Sequence, residues 1–82
     1  MSIEIRLSTT LRDIVPGYEP EKGLRAELAP GEENVSAALL AARIGIPDAQ
    51  IKIIMVNGRQ SKRETVVRDG DRVAYFPAVG GG

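Results

Sequence analysis

Few residues in this sequence could carry out chemistry, and the most distinctive are the three glycines that close it. The 82 residues include no Cys and no His, which excludes a thiol nucleophile, a thiolate or imidazole metal site and a Ser-His-Asp triad. The paired carboxylates of Asp69-Gly70-Asp71 stand between two apolar runs, a pattern far more typical of a turn than of an acid-base or metal pair. The Ser and Thr residues lack a candidate base, so the sequence does not predict an autonomous enzyme.

The candidate reactive group is the carboxylate of Gly82, which follows Gly80 and Gly81. A terminal carboxylate with a pKa of about 3.5 is ionised and a poor electrophile, so a partner must activate it, for example as a mixed anhydride with AMP. Glycine has no Cβ, and Gly81 with Gly80 would therefore give a nucleotide close access to the terminal carbonyl group. The alternative is an ordinary frayed terminus, because most chain ends are poorly ordered.

A tail of this kind needs a docking surface on the folded part of the chain. Residues 77–82 reach about 20 Å when extended, which is enough to enter a deep pocket. Ordering residues 79–82 costs on the order of 4 to 8 kcal/mol in backbone entropy, which so short a segment cannot recover from its own contacts. Tyr75 and Phe76 point to opposite faces of the preceding strand, so one of them is expected beside the tail as an interface anchor. The sequence is about equally consistent with both being core residues.

Alternating apolar and charged residues predict the strands that carry this tail. Residues 3–7 and 24–28 alternate with a period of two, as half-buried strands do. Residues 8–23 between them are rich in Pro and Gly and indicate a long loop with a short helical turn. These two strands are expected to pair.

Three further strands are predicted in the second half of the chain. The apolar run 51–56 fits a central buried strand and is followed by Asn57-Gly58, the strongest short hairpin signal. Residues 66–67 are predicted to form a short strand, and residues 72–76 form the last one, closed by Pro77.

One helix is predicted at residues 35–44, where alanine and leucine dominate. Asn34 is the expected N-cap, and Gly45 with Pro47 supplies the stop. Three residues at helical spacing are expected to face a sheet: Val35, Leu39 and Ala42.

The order strand, strand, helix, strand, short strand, strand predicts an α+β fold. A helix that joins the second and third strands indicates a hairpin followed by a right-handed crossover. This arrangement is a β-grasp, the ubiquitin-like architecture, with a mixed sheet of four to five strands and one main helix packed on one face. Residues 1–76 are expected to form the β-grasp domain, and residues 77–82 a flexible C-terminal tail.

Composition limits the partners that this domain would meet. Eleven basic and eleven acidic residues cancel, so the strongly basic footprint of a nucleic-acid-binding protein is absent. Residues 51–82 hold six basic and three acidic side chains, a half that could meet an acidic partner, although such an imbalance is common on ordinary solvated surfaces. No apolar run approaches ~20 residues and the N-terminus lacks the order of a signal peptide, which favours a cytoplasmic protein without a membrane partner.

The C-terminal segment, residues 69–82, resembles the signature of the MoaD/ThiS family of sulfur carriers, and the order of elements fits along the whole chain. The resemblance implies a carrier protein, with no bound cofactor, whose Gly82 is adenylated by a relative of ubiquitin-activating enzymes that uses ATP. Gly82 would then become a thiocarboxylate that delivers sulfur. The motif Phe-Pro-x-Val-x-Gly-Gly at residues 76–82 is most similar to the small subunit of molybdopterin synthase. The resemblance therefore implies the large subunit of that synthase, or an equivalent sulfur acceptor, as a second partner, with docking through Phe76, Pro77 and Val79.

The sequence departs from the molybdopterin-type pattern at two positions. Ser8 stands where these carriers usually have an aromatic residue, and Gln60 lies near a position that is usually apolar. A carrier for thiamine or sulfur amino acid synthesis, a ubiquitin-like protein modifier and a stand-alone binding module are the alternatives that the sequence leaves open.

Overall fold

A computed structural model of the protein describes residues 2–32 and 34–78. Its strands are β1 (Ser2–Leu7), β2 (Leu24–Glu27), β3 (Ile51–Val56), β4 (Arg59–Ser61) and β5 (Arg72–Pro77), and its α-helix is α1 (Ala37–Arg43). Two 3-10 turns, Thr9–Asp13 and Asp48–Gln50, precede β2 and β3. Within these residues no helix has the length and apolar character needed to cross a bilayer.

The described strands form one mixed sheet in the order β2-β1-β5-β3-β4. β1 and β5 are parallel neighbours at the centre, whereas the other neighbouring strands pair antiparallel. The helix α1 lies on one face of this sheet, and the fold is a ubiquitin-like β-grasp, as the element order predicts.

The inner face of the sheet is defined by the alternation within β1. Ile3, Ile5 and Leu7 are buried, while the residues between them are partly exposed. These side chains belong to one hydrophobic cluster with the buried residues of α1, which are Ala37, Leu40 and Ala41. Burial of this apolar area is the main stabilising contribution to the fold.

The helix begins later than the sequence predicts. Ser36, and not Asn34, is the N-cap, because its Oγ accepts a hydrogen bond from the backbone N–H of Leu39 at 3.0 Å. Asn34 instead has a left-handed φ of 61°. Val35 lies before the helix, and its carbonyl oxygen accepts a hydrogen bond from the N–H of Val67 at 2.9 Å. This tertiary pairing engages Val35 outside the helix, and valine is a weak helix former, so the helix begins only after it.

The face that α1 buries also differs from the prediction. Leu39 is 44% exposed and Ala42 is exposed, so the predicted stripe of Val35, Leu39 and Ala42 is wrong for the two residues inside the helix. Val35 is buried, but it lies before the helix and does not fix its phase. The end of the helix agrees with the prediction, since Gly45 adopts a left-handed φ of 95°.

The hairpin predicted at Asn57-Gly58 is present, and it creates a strand that the sequence does not reveal. Asn57 and Gly58 have φ values of 53° and 82°, as a type I′ turn requires. The turn pairs β4 with β3, although Arg59–Ser61 has no strand pattern. The short strand expected at residues 66–67 is reduced to a single bridge between Ser36 and Val66.

Candidate docking site

Tyr75 and Phe76 occupy opposite faces of β5, and the structure shows which of them is available to a partner. Tyr75 points inward and is fully buried, and its hydroxyl group donates a hydrogen bond of 2.6 Å to the carbonyl oxygen of Ala37. Burial raises the pKa of Tyr75 above its usual value. Phe76 is partly exposed on the outer face, away from α1. Phe76 is therefore the aromatic residue beside the C-terminal tail.

Phe76 lines an apolar cavity of about 510 Å³ near the end of β5. The sheet contributes Ile53, Met55, Phe76 and Pro77, and Ala78 follows directly; Ser8, Thr9 and Thr10 complete the lining. Predicted docking residues Phe76 and Pro77 thus meet at one site. The other predicted site residues, Val79, Gly80, Gly81 and Gly82, lie outside the described residues.

A bulge in β3 shapes the floor of this cavity. Ile53 pairs with Phe76 and Met55 with Ala74, but the register shifts between Ile51 and Ile53. As a result Lys52 and Ile53 are both exposed, and the apolar side chain of Ile53 is 37% accessible to solvent. Bulges of this kind redirect side chains at functional sites.

Hydroxyl-bearing residues form the side of the cavity next to β1. Ser8 follows β1 and donates its N–H to the carbonyl oxygen of Tyr75 at 3.2 Å, which ties this segment to β5. Thr9 adopts a φ of 44°, a left-handed conformation that is uncommon for a β-branched residue. Gln60 is the cross-strand neighbour of Met55. Both positions at which the sequence departs from the molybdopterin-type pattern therefore lie at or next to this cavity.

A second cavity, of about 570 Å³, continues the first toward the β3–β4 hairpin. Met55 lines both cavities, so they are neighbours on the outer face, and the two together are called the groove below. The second cavity is lined by Glu4, Met55, Asn57, Gly58, Gly70, Arg72 and Ala74.

Charged side chains cluster at the Arg72 end of this groove. The Oε2 atom of Glu4 lies 2.8 Å from Nε of Arg6 and 3.2 Å from Nε of Arg72. Arg25 is the direct cross-strand neighbour of Glu4 on β2. The hydrogen bond from Arg6, followed by the positive charges of Arg72 and Arg25, holds the pKa of Glu4 below its usual value, against an opposing effect of desolvation.

The sequence reveals Phe76 and Pro77 but not the remainder of the groove. Ile53 and Met55 belong to a run that is apolar on both faces, so the alternation that would mark them as outward-facing is hidden. Glu4 and Arg72 were detectable as the charged positions of alternating strands. Among residues 2–32 and 34–78 no group of His, Cys, Asp or Glu is arranged to hold a metal ion.

Solved structures from Haloferax volcanii share this fold. The crystal structure of SAMP1 aligns over the full length of both chains with a TM-score of 0.68 and 18% sequence identity. A crystal structure of small archaeal modifier protein 1 covers 95% of this chain and 98% of its own, with a TM-score of 0.67 and 16% identity. The solution structure of the HVO 2177 protein covers 100% of this chain and 87% of its own, with a TM-score of 0.65 and 24% identity.

Sequence comparison gives the family. No curated protein matches the sequence. The family model described as Mut7-C ubiquitin matches residues 1–80, nearly the whole chain. The protein therefore belongs to the Mut7-C ubiquitin family and is a ubiquitin-like protein of the MoaD/ThiS type.

Proposed function

We propose that this protein is a sulfur carrier that is activated at the carboxyl group of Gly82. The observation that carries the proposal is the apolar cavity around Phe76, which opens on the outer face of the sheet where β5 leads into the glycine tail. An adenylyltransferase related to ubiquitin-activating enzymes would dock there and receive the tail in its active site. The protein itself would contribute binding and orientation, and not catalysis.

The chemistry would take place in the site of the partner. The Gly82 carboxylate attacks the α-phosphate of ATP, which releases pyrophosphate and leaves an acyl adenylate. A sulfide-level sulfur donor then displaces AMP and leaves a thiocarboxylate on Gly82. Gly80 and Gly81 give the nucleotide access, because neither has a side chain that would collide with it.

The proposed destination of the sulfur is the molybdenum or tungsten cofactor, with the large subunit of molybdopterin synthase as acceptor. The resemblance of residues 76–82 to the small subunit of that enzyme supports this choice. Ser8 lines the cavity and Gln60 neighbours it through Met55, and both depart from the sequence pattern of that subunit, so sulfur delivery for thiamine or a sulfur amino acid is the competing pathway. The large partner that co-purifies with the protein distinguishes these pathways.

Intact-mass analysis tests the carrier proposal. The protein is incubated with ATP, its cognate adenylyltransferase and a sulfide donor, and we expect a mass gain equal to the exchange of one oxygen for one sulfur. A variant with one residue added after Gly82 is the matched control and should not gain the mass. Absence of the shifted species while the adenylyltransferase still consumes ATP would argue against the proposal.

A second candidate function is protein modification, in which Gly82 forms an isopeptide bond with a lysine of a target. The structural likeness to a protein named small archaeal modifier protein 1 favours it. In cells, this function predicts conjugates of higher mass that disappear when Gly82 is deleted. A thiocarboxylate without such conjugates would favour sulfur transfer alone.

A further inference from the structure

The groove on the outer face has two chemically different ends. Its apolar end is the cavity between Phe76 and Ile53, and its charged end lies beside Arg72. Phe76 and Arg72 are both outward-facing residues of β5, four positions apart. At a rise of about 3.3 Å per residue, their positions along the strand are separated by about 13 Å.

The charged end carries an excess of positive charge. Three guanidinium groups, those of Arg6, Arg25 and Arg72, surround the single carboxylate of Glu4. Arg6 also donates hydrogen bonds to the carbonyl oxygens of Pro20 and Glu21, so its position is fixed. Arg6 and Arg72 both form an ion pair with Glu4. The side chain of Arg72 is 65% exposed, against 36% for Arg6, and is therefore the more accessible of the two.

One neighbouring carboxylate, that of Asp71, offsets part of this excess. Asp71 precedes Arg72, and its two carboxylate oxygens accept hydrogen bonds from the Nδ2 group of Asn57, in the β3–β4 turn, and from the backbone N–H of Arg68. Glu27 lies two residues beyond Arg25, opposite Ser2, farther from the groove. The guanidinium groups of Arg6, Arg25 and Arg72 still outnumber the carboxylates of Glu4 and Asp71 by one, so an incoming carboxylate beside Arg72 would meet a local excess of one positive charge.

We propose that this groove binds an extended segment of a partner protein that carries an apolar side chain and an acidic side chain four residues apart. The apolar side chain enters the cavity beside Phe76 and Ile53, and the carboxylate pairs with Arg72. An extended chain advances about 13 Å in four residues, which matches the separation of the two ends. The inference rests on the proposed function only in taking this face as the docking face, and it adds the chemistry of the partner.

In this arrangement Glu4 weakens binding of the acidic segment. Its carboxylate shares the guanidinium group of Arg72 with the incoming acid, and its negative charge lies within 4 Å of two of the arginines. Neutralising Glu4 should therefore increase the affinity for an acidic ligand. If the carboxylate of the ligand did not pair with Arg72, neutralising Glu4 would not increase the affinity.

The test is a titration of the isotope-labelled full chain with capped pentapeptides, followed by NMR. The two probes have the sequences Leu-Ser-Thr-Ser-Glu and Glu-Ser-Thr-Ser-Leu, since the segment can run in either direction, and the controls replace Glu by Lys. We expect at least one probe to shift the amide signals of both Ile53 and Arg72, and its Lys control to bind about two- to fivefold more weakly. If neither probe shifts these signals, or if the Lys peptides bind equally well, the proposal is wrong.

Charge variants sharpen the same titration. Glu4→Gln should tighten binding of the acidic probe about two- to fivefold, and Arg72→Gln should weaken it by a similar factor. Arg43→Gln is the control, because Arg43 pairs with Glu32 away from the groove. Unchanged affinity in both groove variants would overturn the proposal.

These measurements use neither ATP nor a thiocarboxylate, so they test the groove separately from the proposed function. Peptide binding without sulfur loading would leave the groove assignment intact and contradict the carrier role. Sulfur loading without peptide binding would contradict the groove assignment and leave the carrier role intact.

Discussion

The inner face of the sheet packs into the hydrophobic core, whereas the outer face of the same strands lines the groove. On the inner face, Tyr75 is fully buried and its hydroxyl group is hydrogen-bonded to Ala37. One residue later, Phe76 lies on the outer face and lines the apolar end of the groove. Two adjacent aromatic residues are thus separated by the pleat alone, one contributing to folding and the other to a surface for a partner.

The comparison predicts its largest effect for truncation of these two aromatic residues. Tyr75→Ala should lower the free energy of unfolding by about 3 to 5 kcal/mol, because it empties a buried site of a large side chain. Phe76→Ala should cost about 1 kcal/mol, because the side chain is already partly in solvent. Chemical denaturation followed by circular dichroism measures both. Equal losses would contradict the division between the two faces.

Removing only the hydroxyl group of Tyr75 isolates the polar part of its contribution. Tyr75→Phe should lower the free energy of unfolding by about 1 kcal/mol, the usual net value of one intramolecular hydrogen bond. Burial raises the pKa of Tyr75, so the folded state keeps a proton that the unfolded state releases near pH 10. The contribution of Tyr75 to the free energy of unfolding is therefore fully present below about pH 10 and declines as the pH rises further.

The pH dependence provides a second readout for the same variant. Above about pH 10 the unfolding free energy of the wild type should fall more steeply than that of Tyr75→Phe, since the variant lacks the titrating group. Denaturation curves at several alkaline pH values measure the two slopes. Parallel slopes would mean that Tyr75 ionises without resistance in the folded state.

The start of α1 gives a third test, on the element that covers the inner face. Ser36→Ala should cost about 1 kcal/mol, because it removes the acceptor for the N–H of Leu39. Asn34→Gly is the matched control and should cost little, since glycine readily adopts the left-handed φ of 61° found there. If the Asn34 variant were the more destabilised, the N-cap predicted from the sequence would be right after all.

Much of the inner face could be predicted from the sequence because it depends on local alternation. The alternation in residues 3–7 predicts which side chains of β1 are buried, and Asn57-Gly58 predicts the hairpin. The β-grasp order followed from these elements and the position of one helix. The opposite orientations of Tyr75 and Phe76 were also predictable.

Features that depend on distant pairing could not be predicted in the same way. Which aromatic residue points inward is set by the pairing of Tyr75 with Leu7 across 68 positions of sequence, and only the assembled sheet reveals it. The start of α1 depends on hydrogen bonds from Ala37 and Ala38 to the carbonyl oxygens of Thr65 and Arg63. β4 has no pattern of its own and exists because the turn places it beside β3.

The smallest expected effect is that of a substitution at Leu39, on the exposed side of α1. Leu39 and Leu40 are adjacent but differ in burial, as Phe76 and Tyr75 do. Leu39 is 44% exposed and Leu40 is fully buried. Leu39→Gln, which keeps a good helix former, should change the free energy of unfolding by no more than about 0.5 kcal/mol. Leu40→Ala should cost about 2 to 5 kcal/mol in the same denaturation experiment. The stripe read from the sequence requires the opposite order, because it places Leu39 against the sheet. A large loss in the Leu39 variant would therefore shift the phase of the helix and, with it, the assignment of the core residues that define the inner face.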